Sequence, residues 1–70
     1  MEESTGTIKS TSQGGAEGVI IEDGSNADLN FINPRIPNPP VGERYSFLKI
    51  IQNTPNGSKV TNILKGKLPG

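Results

Sequence analysis

Four lysines and two aromatic rings in the C-terminal half are the side chains whose types and spacing come nearest to a chemistry. Two runs rich in β-branched and aromatic residues, 44–53 and 59–65, flank Thr54-Pro55-Asn56-Gly57. Pro suits the second position of a type I turn, Asn the third, and Gly the left-handed position that follows. A three-residue loop over 55–57 would pair Thr54 with Ser58, Gln52 with Val60, Ile51 with Thr61 and Leu48 with Leu64. Strand alternation then gathers Tyr45, Phe47, Ile51 and Ile63 with Lys49, Lys59, Lys65 and Lys67 on one face. Leu48, Ile50, Val60 and Leu64 share the other with Gln52 and Asn62. Lysines interleaved with rings on a pleated face suit single-stranded nucleic acid, ammonium groups on phosphates and rings on bases. The plainer reading makes Phe47, Ile51 and Ile63 core, with lysine stems lying along its rim. Both depend on register, because a slip of one residue exchanges the faces.

Other constellations are weaker. Asp23, Asn26 and Asp28 beside Glu22 resemble a sparse calcium loop, but their spacing does not supply the six to eight oxygens calcium takes, and they read as a solvated turn. Pro34, Pro37 and Pro40 repeat every third residue next to Arg35. They could lie on one edge of a polyproline helix, as spacer or as docking ligand. The chain has no Cys and no His. Nucleophilic triads, imidazole acid–base chemistry and disulfides are therefore excluded. Gly14-Gly15 with Gly18 lacks the Lys of a phosphate loop. No cofactor or metal site is expected, and the chain reads as a non-enzyme.

The elements that would position these residues follow from composition. Residues 1–18 are rich in Ser, Thr, Gly and Glu, with Ile8 the only large apolar side chain after Met1. They read as a flexible acidic tail. Residues 19–33 read as an acidic hairpin, with strands over 18–22 and 27–32 around Asp23-Gly24-Ser25-Asn26. Leu29 and Phe31 alternate with Asp28 and Asn30, and Ile32 breaks that alternation. Four prolines between residues 34 and 40 make 34–41 an extended connector. Residues 42–70 form a basic hairpin with a short C-terminal extension. Val60, Ile63 and Leu64 also fit helical spacing, with Gly66 and Pro69 as stops, but the β-branched content favours strands. The fold class is mostly β: two hairpins, a proline-rich connector, a flexible N-terminus and little or no helix.

Charge divides the chain. Residues 1–34 carry six acids and one base, and residues 35–70 carry six bases and one acid, although the formal net is zero. Leu, Ile, Val and Phe supply only 17 of 70 residues, a thin core for a domain without disulfide or metal. These features point to a structural or interaction protein held by a larger assembly, a virus or phage particle among the candidates. The runner-up is a small nucleic-acid-binding module using the Lys/aromatic face. For partner contact the sequence offers Tyr45, Phe47, Ile51 and Ile63 as apolar anchors. Arg35, Arg44, Lys49 and Lys65 would be rim charges, and Val19, Ile20 and Ile21 an edge strand able to add to a neighbour's sheet. Self-association or a protein partner is expected, with neither membrane nor small-molecule substrate. The first residues lack the basic and apolar regions of a signal peptide, which points to an intracellular or virion location.

Overall fold

The computed structural model describes residues 2–69. Five strands close into one barrel: β1 (Glu2–Ser12), β2 (Glu17–Glu22), β3 (Asp28–Ile32), β4 (Arg44–Thr54) and β5 (Gly57–Lys67), with a single 3-10 turn, Gln13–Gly15, between β1 and β2. Their order around the barrel is β1-β2-β3-β5-β4, and β4 returns to β1. Every contact is antiparallel except β3 with β5, which run parallel over Phe31–Asn62 and Ile32–Ile63 only.

The first residues are the first correction. They form β1, ordered from Glu2, where the composition suggested a flexible tail. The strand is polar because one face is wet and the other carries just Gly6 and Ile8 to the interior, where both are buried. Backbone pairing holds it on both sides. Its first half pairs with β4 (Glu2↔Lys49 to Thr7↔Arg44), and its second half with β2 (Gly6↔Glu22 to Ser12↔Glu17). The bulge at Lys9, between Ile8 and Ser10, bends the strand so that one chain serves two neighbours, as barrel closure requires.

The second correction is the register of β4 and β5. The turn chemistry holds, with Gly57 at φ 120°, but Thr54 faces Gly57, Gln52 faces Lys59 and Ile51 faces Val60. That is one residue off the register assigned from sequence. Phe47 therefore lies opposite Leu64, and Leu48 opposite Ile63. Val60, Asn62 and Leu64 move to the face of Tyr45 and Phe47, while Lys59 and Ile63 move to the other. A bulge of one extra residue, Lys65 on β5, opposite the Ser46–Phe47 step, then restores the longer register at Ser46↔Gly66 and Tyr45↔Lys67. Residues 59–65 are strand throughout, so the helical alternative is overturned.

The two hairpins are not independent units. Ile8, Ile20, Phe31, Tyr45, Phe47 and Leu64 form one core, one or two residues from each strand, with Leu29 and Ile36 packed against it. The stretch 34–41 contains no strand, but it is not the continuous extended run its prolines suggested: it bends at Pro34-Arg35 and at Pro37-Asn38, with Asn38 at φ 41°, because the Asn33 side chain folds it back and ties it down. Asn33 Nδ2 donates to Gly15 O (2.8 Å) and Ile36 O (2.6 Å), and Asn33 Oδ1 accepts from Ile36 N (2.8 Å). Pro39 is buried, and Gly42 N donates to Ile8 O (2.8 Å). This connection joins β3 to β4 and closes one end of the barrel with Ile36.

Candidate binding groove

The parallel β3–β5 contact is two residue pairs long, and before it the strands part. The gap opens a groove of about 670 Å³. Residues 10–12 of β1, 17–19 of β2 and 30–32 of β3 line one side, and residues 59–62 of β5 the other. Gly18 and Phe31 shape its floor. A Cβ at Gly18 would stand 2.3 Å from Ser10 O and 2.8 Å from Phe31 Cζ, so only glycine lets the Phe31 ring lie against β2. Phe31 is consequently 2% exposed although it borders the groove.

Asn62 closes the narrow end of the gap. Its side chain is buried, and Nδ2 donates to Asn30 O at 2.8 Å, bridging β5 to β3 where the ladder begins. Its Oδ1 is buried with no hydrogen-bond partner. An unpaired buried acceptor of this kind costs about 1–3 kcal/mol. Ile32 and Val60 are 44% and 52% exposed. Glu17 and Lys59 are the charged residues of the lining, and neither has an ion-pair partner among the described residues.

Past Ile50 and Thr61 the β4–β5 hairpin leaves the barrel body. Residues 51–60 are all exposed, and Ile51, opposite Val60, is 50% exposed. On the side away from β4, residues 57–61 of β5 have no strand partner among the described residues.

The expected contact residues scatter. Tyr45 and Phe47 are 3% and 0% exposed and belong to the core, as does Ile20. With Phe31 inside as well, all three aromatic rings of the chain face the interior, and the Lys/aromatic face does not exist. Ile63 is half-buried on the other face of β5, away from Ile51. Val19, Ile20 and Ile21 are not an edge, because β2 pairs with β1 on one side and β3 on the other. Val19 nevertheless reaches the groove.

Three of the four rim charges are engaged within the chain. Arg44 pairs with Asp23, Lys49 with Glu22, and Lys65 Nζ with Glu3 Oε1 at 2.9 Å. Arg35 is exposed on the connector. These pairs join the acidic half to the basic half, so the charge asymmetry of the sequence is largely neutralised inside one barrel. Glu22 is the most embedded of the acids, with its side chain 13% exposed. Lys49, then Ser25 and Ser4, donate to it and hold its carboxyl at about 2, well below the ordinary value. Thr5 and then Arg44 lower Asp23 in the same way. Glu22, Asp23 and Asp28, which resembled a calcium loop, are thus engaged by Lys49, Arg44 and Lys9.

Sequence reasoning missed Asn30, Ile32, Val60 and Asn62 as a set. One signal was present: Ile32 breaks the alternation of β3 and puts an aliphatic side chain on its wet face. No family model, curated protein or solved structure matches this chain. Among the described residues no helix is long and apolar enough to cross a membrane.

Proposed function

We propose that this chain is a non-enzymatic interaction protein, and that its working surface is the groove between β3 and β5 with the projecting β4–β5 arm. The observation that carries the reading is the open seam itself: a strand edge without a neighbour, beside exposed Val60 and Ile32 and an unpaired Asn62 acceptor. Main-chain groups along an edge recognise an extended polypeptide, and flanking aliphatic side chains supply apolar contact. Catalysis finds no support in the groove, whose only titratable lining groups are Glu17 and Lys59. A particle coat remains without a supporting observation.

A second reading is favoured by position. Five-strand barrels that bind oligonucleotides do so on the face of strands 2 and 3, between the first and last hairpin loops, which is where this groove lies. The lining counts against it. It offers no exposed ring for base stacking and pairs its one lysine with one acid, whereas single-strand binders use rings and a cationic track.

A photo-cross-linking amino acid placed at Val60 or Ile32, in the protein expressed in its own cells, tests both readings. Nuclease-resistant protein adducts at these positions, absent when the cross-linker replaces exposed Val41 on the connector, are expected. Nuclease-sensitive adducts transfer the groove to nucleic acid. Equal labelling at Val41 removes the groove from consideration.

A further inference from the structure

We infer that the tip of the arm is a self-acting modification site: Asn56-Gly57 converts through a cyclic imide to aspartate and isoaspartate, with loss of ammonia. The inference goes beyond the interaction reading above and does not depend on it.

The chemistry needs only water. The backbone nitrogen of Gly57 gives its proton to solvent hydroxide and attacks Asn56 Cγ. The new N–Cγ bond closes a five-membered ring. The Cγ–Nδ2 bond then breaks, and its nitrogen, protonated by water, leaves as ammonia. Water opens the imide on one of two sides. Cleavage of the bond to Cγ restores the ordinary backbone with an aspartate side chain. Cleavage of the bond to the Asn56 main-chain carbonyl carbon sends the backbone through Cβ and Cγ, one methylene longer, as isoaspartate. Neither route changes an oxidation state.

Three observations select this residue. The first is access. Residues 51–60 are all exposed, and Asn56 sits at the turn between the facing residues Thr54 and Gly57. Ring closure brings the following nitrogen onto Cγ, and a side chain on the following residue obstructs it. Gly57 has none, and a Cβ built there would meet nothing within 4 Å, so the ring has room on that side. The second is an idle side chain. Among the described residues the Asn56 carboxamide makes no hydrogen bond, while its neighbours do. Thr54 Oγ1 donates to Gly57 O (2.6 Å), and Ser58 Oγ to Asn53 Oδ1 (3.0 Å). Asn56 is held by its backbone, whose N donates to Thr54 Oγ1 at 3.3 Å.

The third is that the other candidates are protected. Asn33 and Asn38 precede prolines, whose nitrogens carry no hydrogen. Asn30, Asn53 and Asn62 lie in strands, and Phe, Thr and Ile crowd the nitrogens that follow them. Asn26 precedes Ala27, whose nitrogen already donates to Ser25 Oγ at 3.3 Å. Asp23-Gly24 could close the same ring, but only as the neutral acid, because an ionised carboxylate has no leaving group. Thr5 Oγ1 donates to Asp23 Oδ2 at 2.6 Å and Arg44 pairs with it, which keeps that carboxyl ionised. Of two glycine-following sites in turns, the fold locks one and leaves the other free.

The consequence falls on the arm. Residues 44–70 contain no acid, so either product places an anion where the strands carry only cations. Isoaspartate also lengthens the main chain of a tight turn whose length sets the β4–β5 register. Incubation of the whole chain at neutral and mildly alkaline pH, followed by peptide mapping and mass spectrometry, tests the inference. The tip peptide is expected to gain the mass difference between carboxylic acid and amide and to resolve into two products of equal mass. Conversion at Asn56 is expected to exceed that at Asn26 by about tenfold or more. It should rise with pH, since the attacking nitrogen must lose its proton. Asn56→Gln, which would need a six-membered ring, is expected to slow conversion at the tip by about tenfold or more without moving the melting temperature. Amide signals of the aged protein should shift within 51–60 and stay in place at Ile8, Ile20 and Phe47. Two results overturn the inference. One is Asn56 surviving in the folded chain over a time in which a free peptide of residues 51–60 converts. The other is isomerisation of Asp23-Gly24, read as a new peak of unchanged mass, at a rate equal to that of Asn56.

Discussion

The barrel body and the β4–β5 arm are built from the same two strands, yet they obey different rules. In the body, Tyr45 and Phe47 of β4 and Leu64 of β5 are interior, and both strands have neighbours on each side. In the arm, residues 51–60 are all exposed and the two strands have only each other. Ile50 and Ile51 are identical in type, but Ile50 is half-buried at the edge of the body and Ile51 stands in water. An aliphatic side chain in the body is there to stabilise the fold. One in the arm has no such role, and in the function proposed above it belongs to the contact surface. A two-stranded ribbon is marginal alone, so the body must anchor the arm, while the arm contributes little in return.

Substitutions should separate the two regions by size of effect. Phe47→Ala, at the centre of the core, is expected to cost about 3–5 kcal/mol, enough to unfold a domain of this size, and a thermal melt at neutral pH reads it. Gly18→Ala ranks second. The added methyl would meet Ser10 O at 2.3 Å and the Phe31 ring. A cost of about 1–3 kcal/mol is typical of overpacking; an unchanged melting temperature would mean that Phe31 and β2 can move apart to admit a methyl group.

Lys49→Met removes the cation from Glu22 near the junction of body and arm. Fully buried pairs broken in this way cost about 3–5 kcal/mol. Lys49 retains 25% side-chain exposure, so a loss of about 1–2 kcal/mol is expected. Its pH signature is more specific. Glu22 is lowered from 4.5 to about 2 in the folded chain. Its contribution is therefore complete above pH 4.5 and disappears as pH falls towards 2. Acid titration of the melting temperature should show a shallower decline in that window for Lys49→Met than for the parent. Equal slopes would place Glu22 outside the linkage. The smallest effect belongs to the arm. Ile51→Thr and Val60→Thr should each change monomer stability by less than about 0.5 kcal/mol, and a larger loss would bring the arm back into the fold.

Much of the local structure was legible. Residues 18–22 and 27–32 were read as strands and are Glu17–Glu22 and Asp28–Ile32 within one residue. The alternation around Leu29 and Phe31 and the turn residues between them carry that information locally. Pro55-Asn56-Gly57 marked its turn for the same reason. The register beyond that turn was not legible, because a loop of two or three residues is chemically almost equivalent while the faces it produces are opposite. Packing decides it: Phe47 and Leu64 both enter the core only if Thr54 faces Gly57. β1 was missed for another reason. A strand held by two ladders and one buried isoleucine needs no hydrophobic pattern of its own. The groove escaped because its residues come from four strands, and only the irregular Ile32 hinted at it.

By itself the sequence determined the β character, the turns, the lack of a strand over 34–41, and the absence of Cys and His chemistry. These depend on φ preferences, side-chain branching and functional groups, which each residue carries wherever the chain goes. The tertiary structure alone decided that both hairpins close into one barrel, that the rings point inward, that opposite charges meet within the chain, and that β5 keeps an open edge. Such outcomes depend on which strands become neighbours, and residues far apart in sequence settle that by filling a common interior.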